Sequence, residues 1–323
     1  MATGNGAYII HETLKRRIPG YTLKGYHPNL TLMPLLLKAI NSFKDADLIH
    51  TTPDYASFFM RPNVPSVITF HNYVLDSWMM TYSNLFQKIH YKTDLRIFTK
   101  AAVFKAHTIT AVSRFTAALV KKELGISKKI QVIYNGIDSE LFCPQSKMQH
   151  GKKICVLFSG NISMRKGAQW LPAIADKLER NIVVYYTSGL RGKGKILERE
   201  NLIPVGRIPY NDMPDFYNKM HIVLMPTVRE GFGLAAAEAM ACGLPVIASN
   251  CSALPELIDN DKGGFLCPVG DVDAFAEKIN FLANSEFHRK EMGEYNRAKV
   301  EKQFTIKRMV NGYKTLFEEV VES

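Results

Sequence analysis

The chain has 323 residues, 46% of them hydrophobic and 22% charged, with a net charge of +11, a composition typical of a globular protein long enough for two domains. This composition excludes a disordered chain. The longest apolar stretch, near residues 30–40, is broken by Pro34 and Lys38 and is too short for a membrane-spanning helix. The N-terminal residues do not have the pattern of a secretory signal, and five cysteines with no C-x-x-C pair predict neither disulfides nor structural zinc, so we expect a cytoplasmic protein.

The excess positive charge lies in the first half of the chain. Residues 1–147 carry 18 basic and 9 acidic side chains, which favours a polyanionic partner such as nucleic acid, anionic lipid or a phosphorylated substrate. Residues 84–107 contain no glycine or proline and predict one long helix. Cations recur on it every four residues, at Lys88, Lys92, Arg96 and Lys100. This stripe is either the solvated face of a core-packed helix or a contact with an anionic membrane surface or acceptor.

Short apolar runs alternate with helical patterns along the chain, which predicts parallel α/β units. In the first half the predicted strands lie in residues 45–52, 64–72, 107–113 and 129–136, and a helix is predicted at 114–124. In the second half strands are predicted in 154–160, 181–189, 201–207, 221–227, 245–250 and 263–269, and helices at 169–179, 213–220, 234–241 and 272–284. The polar segment 137–153 predicts a linker, and ligands of such sheets bind at the carboxyl ends of the strands.

A cationic glycine loop follows the first strand of the second half. The sequence VLFSGNISMRKGAQW places Gly160, Arg165, Lys166 and Gly167 between that strand and a helix. Bare backbone and two cations can bind phosphate oxygens there. The spacing is neither that of a P-loop nor that of a dinucleotide-binding motif, so by itself the loop also fits a turn with surface cations.

Two glutamates stand out in the segment REGFGLAAAEAMACGLPVIAS. Glu230 precedes a helix and Glu238 lies within it, among alanines, where an ordinary solvent-facing residue is hard to place. Carboxylates close to backbone amides suit recognition of hydroxyl groups such as those of ribose or a hexose.

The E-x7-E segment, the upstream FSGNISMRKG and the segments HTITAVSRF and VIYNGID together resemble the retaining family 4 glycosyltransferases of GT-B fold. The resemblance implies two Rossmann-like parallel-sheet domains facing a cleft. The first, residues 1–147, would be the acceptor-side domain. The second, residues 148–304, would bind a nucleotide-sugar, and residues 305–323 would form a helix that crosses back to the first domain.

The resemblance also implies roles for residues of the second domain. Lys166 would neutralise the diphosphate of the donor, Glu230 would contact sugar hydroxyls near the reaction centre, and Glu238 would hold the ribose. Asn161 stands where the family usually has Arg, which leaves Arg165 as a substitute cation. The other donor-binding residues implied are Gly160, Gly206, Arg207, Gly231, Phe232, Gly233 and Leu234.

In the first domain the resemblance implies that His71 faces the donor sugar as a catalytic residue, with His50 as a weaker candidate. Ser113 and Arg114 would line the donor site, and the glycine loop of Gly4 and Gly6 would approach the diphosphate. Only three residues precede Gly4, where the family has a strand. We therefore expect that this first strand is absent or that another segment takes its place.

The resemblance to GT-B enzymes implies that no metal or cofactor is needed, because lysine and helix dipoles stabilise the leaving diphosphate there. The triplet Asp271-Val272-Asp273 is interpreted as a helix N-cap rather than a metal site. The leading hypothesis is hexosyl transfer from a nucleotide-diphosphate sugar, UDP before GDP, to a glycan or lipid-linked acceptor, in the cytoplasm or on the cytoplasmic face of a membrane. The alternatives are a nucleotide-sugar epimerase or hydrolase, or a basic polyanion- or membrane-binding protein. Nucleic acid is not an expected partner, since no nucleic-acid-binding signature is present.

Overall fold

The computed structural model describes residues 2–3, 6–32, 36–37, 45–145, 153–188, 196 and 198–323. The chain forms two compact units. One comprises residues 1–135 together with 307–323, and the other comprises residues 136–306. Each unit has its own sheet and its own hydrophobic core.

A parallel sheet forms the centre of the first unit. Its strands, in spatial order, are β1 (Ile49–Thr51), β2 (Ser66–Phe70), β3 (Thr108–Ala111) and β4 (Ile130–Val132). Every residue of β2 is buried, because helices of this unit and β1 and β3 enclose it. Thr3 donates its backbone N–H to the carbonyl of Tyr26 (3.0 Å), so the described N-terminal residues pair outside this sheet.

The helices of the first unit are α1 (Gly6–Arg17), α2 (Ser77–Thr81), α3 (Leu85–His90), α4 (Arg96–Lys105), α5 (Arg114–Leu124) and α12 (Ile306–Glu322), the last of which starts at the unit boundary. Ser113 caps the N-terminus of α5, where its hydroxyl accepts from Thr116 N–H (3.1 Å), and Gly125 in the left-handed conformation caps the C-terminus. These are the sequence signals of a capped helix, and the prediction of a helix at 114–124 is confirmed.

The second unit contains a larger parallel sheet. In spatial order its strands are β10 (Gly264–Cys267), β9 (Val246–Ser249), β8 (Ile222–Met225), β5 (Ile154–Phe158), β6 (Ile182–Thr187) and β7 (Leu202–Gly206). Because β5 and β8 are adjacent and parallel, the loops that follow them lie at the same edge of the sheet. The helices are α6 (Leu171–Ala175), α7 (Met213–Asn218), α8 (Leu234–Ala241), α9 (Leu254–Leu257), α10 (Val272–Ala283) and α11 (Glu286–Gln303).

The boundary between the units lies earlier than the predicted one at 147/148. Residues 136–145 pack with the second unit, since Ile137 donates to the carbonyl of Phe304 (2.7 Å) and the ring of Phe142 contacts that of Tyr217. At the other end, the first unit resumes at Lys307, the second residue of α12, whereas the predicted crossover helix starts at residue 305.

The two-sheet parallel α/β architecture is confirmed, and each predicted strand segment contains an observed strand. Two helical predictions are corrected. The helix predicted at 169–179 is only the short α6, preceded by a 3-10 turn, and the helix predicted at 84–107 is interrupted by a π-helical turn at Tyr91–Leu95. The sequence does not predict α11, because the helix itself is rich in charged residues and its buried side includes the polar Arg289 and Asn296.

Within the described parts of the chain, no helix is both long and apolar enough to cross a bilayer. All five cysteines are free thiols.

Candidate active site

The cationic loop after β5 is held against the end of β8 by backbone contacts. Gly167 adopts a left-handed conformation (φ +77°), and a Cβ atom there would lie 1.8 Å from the carbonyl oxygen of Pro226. The backbone carbonyl of Arg165 accepts from Val228 N–H (2.9 Å) and from the Thr227 hydroxyl (2.8 Å). Only glycine permits this approach, which explains why the loop needs Gly167 directly after its cations.

Lys166 and Glu230 form an ion pair at this position. Their Nζ and Oε1 atoms are 2.5 Å apart, and both side chains are largely shielded from solvent. Burial acts to raise the pKa of Glu230, but the charges of Lys166 and Arg165 and hydrogen bonds from Lys166 and Thr227 outweigh it and lower that pKa. Glu230 is therefore ionised near neutral pH, and Lys166 is its counter-ion.

The backbone around Glu230 is fixed from two sides. Its N–H donates to the hydroxyl of Ser252 (2.9 Å), a residue in the left-handed conformation after β9. The guanidinium of Arg165 donates to the carbonyl of Arg229 (3.1 Å). A carboxylate and two cations are thereby held at one edge of the sheet, an arrangement suited to a ligand that carries both phosphates and hydroxyl groups.

Glu238 is a half-buried residue of α8. Its neighbours Ala236, Ala237 and Ala239 are buried, and the Tyr217 hydroxyl donates to its Oε2 (3.0 Å). Burial raises the pKa of Glu238 to about 7, although the Tyr217 hydrogen bond and the charge of Lys166 act in the opposite direction. The Glu238 carboxyl group, close enough to Lys166 to be affected by its charge, therefore titrates near neutral pH.

The remaining predicted residues of the second unit are distributed over three places. Gly160 donates its N–H to the Thr187 hydroxyl (2.9 Å), and Asn161 follows it in the cationic loop. Gly231, Phe232 and Gly233 are buried before α8, with Leu234 as its first residue, and the ring of Phe232 packs on Phe304. Gly206 and the exposed Arg207 lie at the end of the edge strand β7, separated from β5 by β6.

In the first unit, the predicted histidines belong to a chain of hydrogen bonds. Nε2 of His71, directly after β2, lies 3.4 Å from Nε2 of His11. Nδ1 of His11 contacts the Tyr21 hydroxyl (2.7 Å), which contacts Nδ1 of His50 (2.9 Å). Nε2 of His50 in turn contacts the Thr69 hydroxyl (2.7 Å). His50 is thus linked to His71 through residues of other elements.

Burial lowers the pKa of His50 to about 3 and that of His71 to about 4. Burial, together with the nearby His50 and His71, also lowers the pKa of His11 well below its usual value. All three imidazoles are therefore neutral at physiological pH, and each carries one ring proton. A cavity of about 600 Å³ borders this network at His11, Tyr21 and His50.

The chain of hydrogen bonds ends at a backbone carbonyl group, which can only accept a hydrogen bond. Thr69 contacts the Thr110 hydroxyl (2.6 Å), which donates to the carbonyl of Ile68 (3.4 Å). If every link donates toward that carbonyl, His71 and His50 carry their protons on Nε2 and His11 carries its proton on Nδ1.

We expect nitrogen-15 NMR spectra at neutral pH to show this alternating pattern of tautomers. Tyr21→Phe should disturb it at His11 and His50, because the phenol hydroxyl carries the hydrogen bonds between those two stacked rings, whereas Tyr8→Phe on the same helix as His11 should not. The opposite tautomer at all three histidines would contradict the inferred direction.

Four residues of these contacts, His11, Tyr21, Tyr217 and Tyr313, are not among the residues predicted from the sequence; the Tyr313 hydroxyl contacts that of Thr69. His11 shares the buried face of α1 with Ile10 and Leu14, and a histidine at that spacing is a signal that could have been used. The tyrosines give no local signal, because their partners are distant in sequence.

The other predicted residues have different outcomes. The Ser113 hydroxyl caps α5, and Arg114 is the exposed first residue of that helix, so their part in donor binding stays a prediction. Gly6 begins α1, whereas Gly4 lies outside the described residues. Asp271 accepts from Ala274 N–H (3.0 Å) as the cap of α10, as predicted, and Asp273 pairs with Lys177.

Two family profiles match consecutive parts of the chain. The profile described as Glycosyltransferase Family 4 matches residues 4–141, and that described as Glycosyl transferases group 1 matches residues 144–299. Together they account for nearly the whole chain.

Individual proteins show the same relationship. An uncharacterized glycosyltransferase of Methanocaldococcus jannaschii is 29% identical over 238 residues, covering 70% of this chain and 63% of the relative. The capsular polysaccharide biosynthesis glycosyltransferase CapM of Staphylococcus aureus is 29% identical over 235 residues, covering 65% of this chain and 61% of the relative. The chain therefore spans less than two thirds of the length of these relatives.

Among solved structures, that of Anabaena HepE in complex with UDP and glucose superposes with a TM-score of 0.80 at 18% identity, covering 98% of each chain. At this identity the similarity establishes the fold.

Proposed function

Because the chain belongs to the family 4 glycosyltransferases of GT-B fold, we propose that it transfers a hexosyl group from a nucleotide-diphosphate sugar to an acceptor hydroxyl. The observation that carries this proposal is the Lys166–Glu230 pair, held with Arg165 at the carboxyl ends of β5 and β8. It combines cations for a diphosphate with a carboxylate for sugar hydroxyls, in the part of an α/β sheet where ligands bind.

We propose that the transfer retains the anomeric configuration. The bond between the anomeric carbon and the diphosphate oxygen breaks first, and the sugar acquires oxocarbenium character. The acceptor oxygen then bonds to the anomeric carbon from the same face, and its proton passes to the departing phosphate oxygen. Lys166 and Arg165 stabilise the negative charge that develops on the leaving group, so that no metal ion is required.

In the second unit, Glu230 would accept hydrogen bonds from hydroxyls of the sugar. In the first unit, His71, with its proton on Nε2, would offer its Nδ1 lone pair to a hydroxyl of the substrate. Glu238 would accept from the ribose. Gly206 and Arg207 would lie near the base.

UDP is the nucleotide we propose first and GDP the second, supported by the UDP in the Anabaena HepE structure. We propose a glycan or lipid-linked acceptor, supported by the similarity to CapM, and a location on the cytoplasmic face of a membrane, supported by the positive charge of residues 1–147.

The test is a calorimetric titration of the whole chain with UDP, GDP and ADP, first without metal and then with magnesium. Binding of one nucleotide without metal is expected, and no binding to any of them would contradict the proposal. Turnover of the matching nucleotide-sugar in the absence of any acceptor would instead favour the hydrolase or epimerase alternative. The anomeric configuration of the product, read by proton NMR, tests retention.

The raised pKa of Glu238 predicts pH-dependent donor binding. The carboxylate accepts hydrogen bonds from ribose hydroxyls better than the neutral acid does, so binding should strengthen as pH rises through about 7. We expect the Kd for UDP-glucose, whose diphosphate does not titrate in this range, to be roughly tenfold lower at pH 8 than at pH 6.

Glu238→Gln should abolish this dependence. Tyr217→Phe should move its midpoint to higher pH, since it removes a hydrogen bond that favours the carboxylate. A profile of Glu238→Gln that still follows the wild-type profile would exclude Glu238 as its source.

A further inference from the structure

The helical segment 85–105 of the first unit exposes large apolar side chains. They are Leu85, Phe86, Ile89, Ile97 and Phe104, each between 54% and 82% exposed. Isolated exposed apolar residues are common on protein surfaces, but a group on one continuous helical segment indicates an interaction surface.

The π-helical turn Tyr91–Leu95 brings four of these side chains, Leu85, Ile89, Ile97 and Phe104, onto one side of the segment, whereas Phe86 lies about 100° further round the helix. Val103 is 18 residues after Leu85, which is five turns of an uninterrupted α-helix, and would share its exposed side. The π turn holds one extra residue, so Val103 is rotated inward, where it is 1% exposed. Phe104 instead lies on the same side of the segment as Leu85. The same extra residue places Ile97, eight residues after Ile89, on the same side of the segment as Ile89, two turns further along. The apolar stripe, defined by the five side chains above, therefore runs the length of the segment.

Cations lie along one side of the apolar stripe. At about 100° per residue, Lys88 and Lys92 fall roughly 60° and 20° to one side of Leu85, and the extra residue of the π turn aligns Arg96 with Lys88 and Lys100 with Lys92. Lys92 and Lys100 are exposed, and Lys88 and Arg96 are half-buried. The one acidic residue of the segment, Asp94, is paired with His90 (2.9 Å) and Tyr55 (3.0 Å). Together with Lys105, five cations stand against this one carboxylate, so the segment keeps a net positive charge.

We propose that the apolar stripe inserts into the surface of an anionic lipid bilayer, with the lysines at the level of the headgroups. An apolar strip flanked by lysines is the composition of helices that lie in the plane of a membrane interface. An antiparallel two-fold contact between two copies of the chain through this stripe fits less well, because it would place the lysines of both copies on the same side of the contact. The inference deepens the membrane location proposed above, and it does not depend on the donor chemistry.

The experiment is co-sedimentation of the whole chain with phosphatidylcholine vesicles, with or without phosphatidylglycerol. We expect binding to the anionic vesicles, with at least a roughly tenfold loss for the double variant Phe86→Ser/Phe104→Ser. The triple variant Lys88→Gln/Lys92→Gln/Lys100→Gln should lose binding to a similar extent, and high salt should weaken the wild type. The matched control is Phe287→Ser, which removes a phenylalanine that is 70% exposed on α11 of the second unit and should change nothing.

UDP titration of each variant shows whether it is folded and whether the donor site is intact, so a failure of the membrane inference is distinguishable from a failure of the proposed activity. Equal vesicle binding by wild type and the Phe86→Ser/Phe104→Ser variant would overturn the inference. So would a dimer in lipid-free solution that the same double variant converts to monomer, because the stripe would then be a contact between copies.

Discussion

Replacing Lys166 by methionine should lower the rate of sugar transfer by about 100- to 1,000-fold, the usual cost of removing one preorganised group that stabilises charge in a transition state. Lys166 is the cation held closest to Glu230, and in the proposed reaction it stabilises the leaving diphosphate. Methionine retains the length and apolar stem of the side chain and removes its charge. The measurement is kcat with UDP-glucose or the nucleotide-sugar that the titration identifies.

The matched control is Lys177→Met, which breaks the exposed ion pair between Lys177 and Asp273 on the same unit and should leave kcat unchanged. Because Lys166→Met also leaves the buried carboxylate of Glu230 without its cation, it should lower the free energy of unfolding. The double variant Lys166→Met/Glu230→Gln should regain stability without regaining transfer. If it regains transfer, the effect of Lys166 is structural and the proposed role is wrong.

Glu230→Gln should separate nucleotide binding from turnover. Removing the carboxylate releases Lys166 from its ion pair, so the cation becomes available to a diphosphate, and we expect UDP to bind as tightly as to the wild type or several-fold more tightly. Transfer should nevertheless fall by about 100-fold, because glutamine holds the sugar hydroxyls without the charge that stabilises an oxocarbenium-like centre.

Lys166→Met should have the opposite effect on the affinity for UDP, because it removes the cation and should weaken UDP binding. Calorimetry of the two variants side by side is therefore the decisive comparison. A loss of UDP affinity in Glu230→Gln as large as that in Lys166→Met would show that the carboxylate contributes to nucleotide binding and would contradict its assignment to the sugar.

Local pattern was sufficient for most of the fold. The strands of both sheets are short β-branched runs that end in polar residues, and buried parallel strands need that composition whatever surrounds them. α5 and α8 were predicted with their observed ends, because Ser113 caps the first and Gly233 precedes the second. The short α6 and the π turn at Tyr91–Leu95 carry no such signals.

The candidate site was predicted only in part. Glu238 stood out because a carboxylate among alanines violates the pattern of a surface helix, and burial is the physical origin of both that anomaly and its raised pKa. The ion pair between Lys166 and Glu230 joins residues 64 positions apart, and its existence depends on β5 and β8 being neighbours, which no local pattern specifies.

By itself, the sequence determined the parallel α/β class, the positions of the strands and helix caps, the excess of positive charge in residues 1–147, and the residues at strand ends where chemistry was expected. These are properties of periodicity and composition, which act over a few residues. The tertiary structure alone decided that Lys166 is neutralised by Glu230, that His71 and His50 are connected through His11 and Tyr21, and that the apolar stripe of residues 85–105 is continuous. Each of these depends on which elements pack together or on one extra residue in a helical turn, and such contacts are fixed by the burial of the whole core rather than by neighbouring residues.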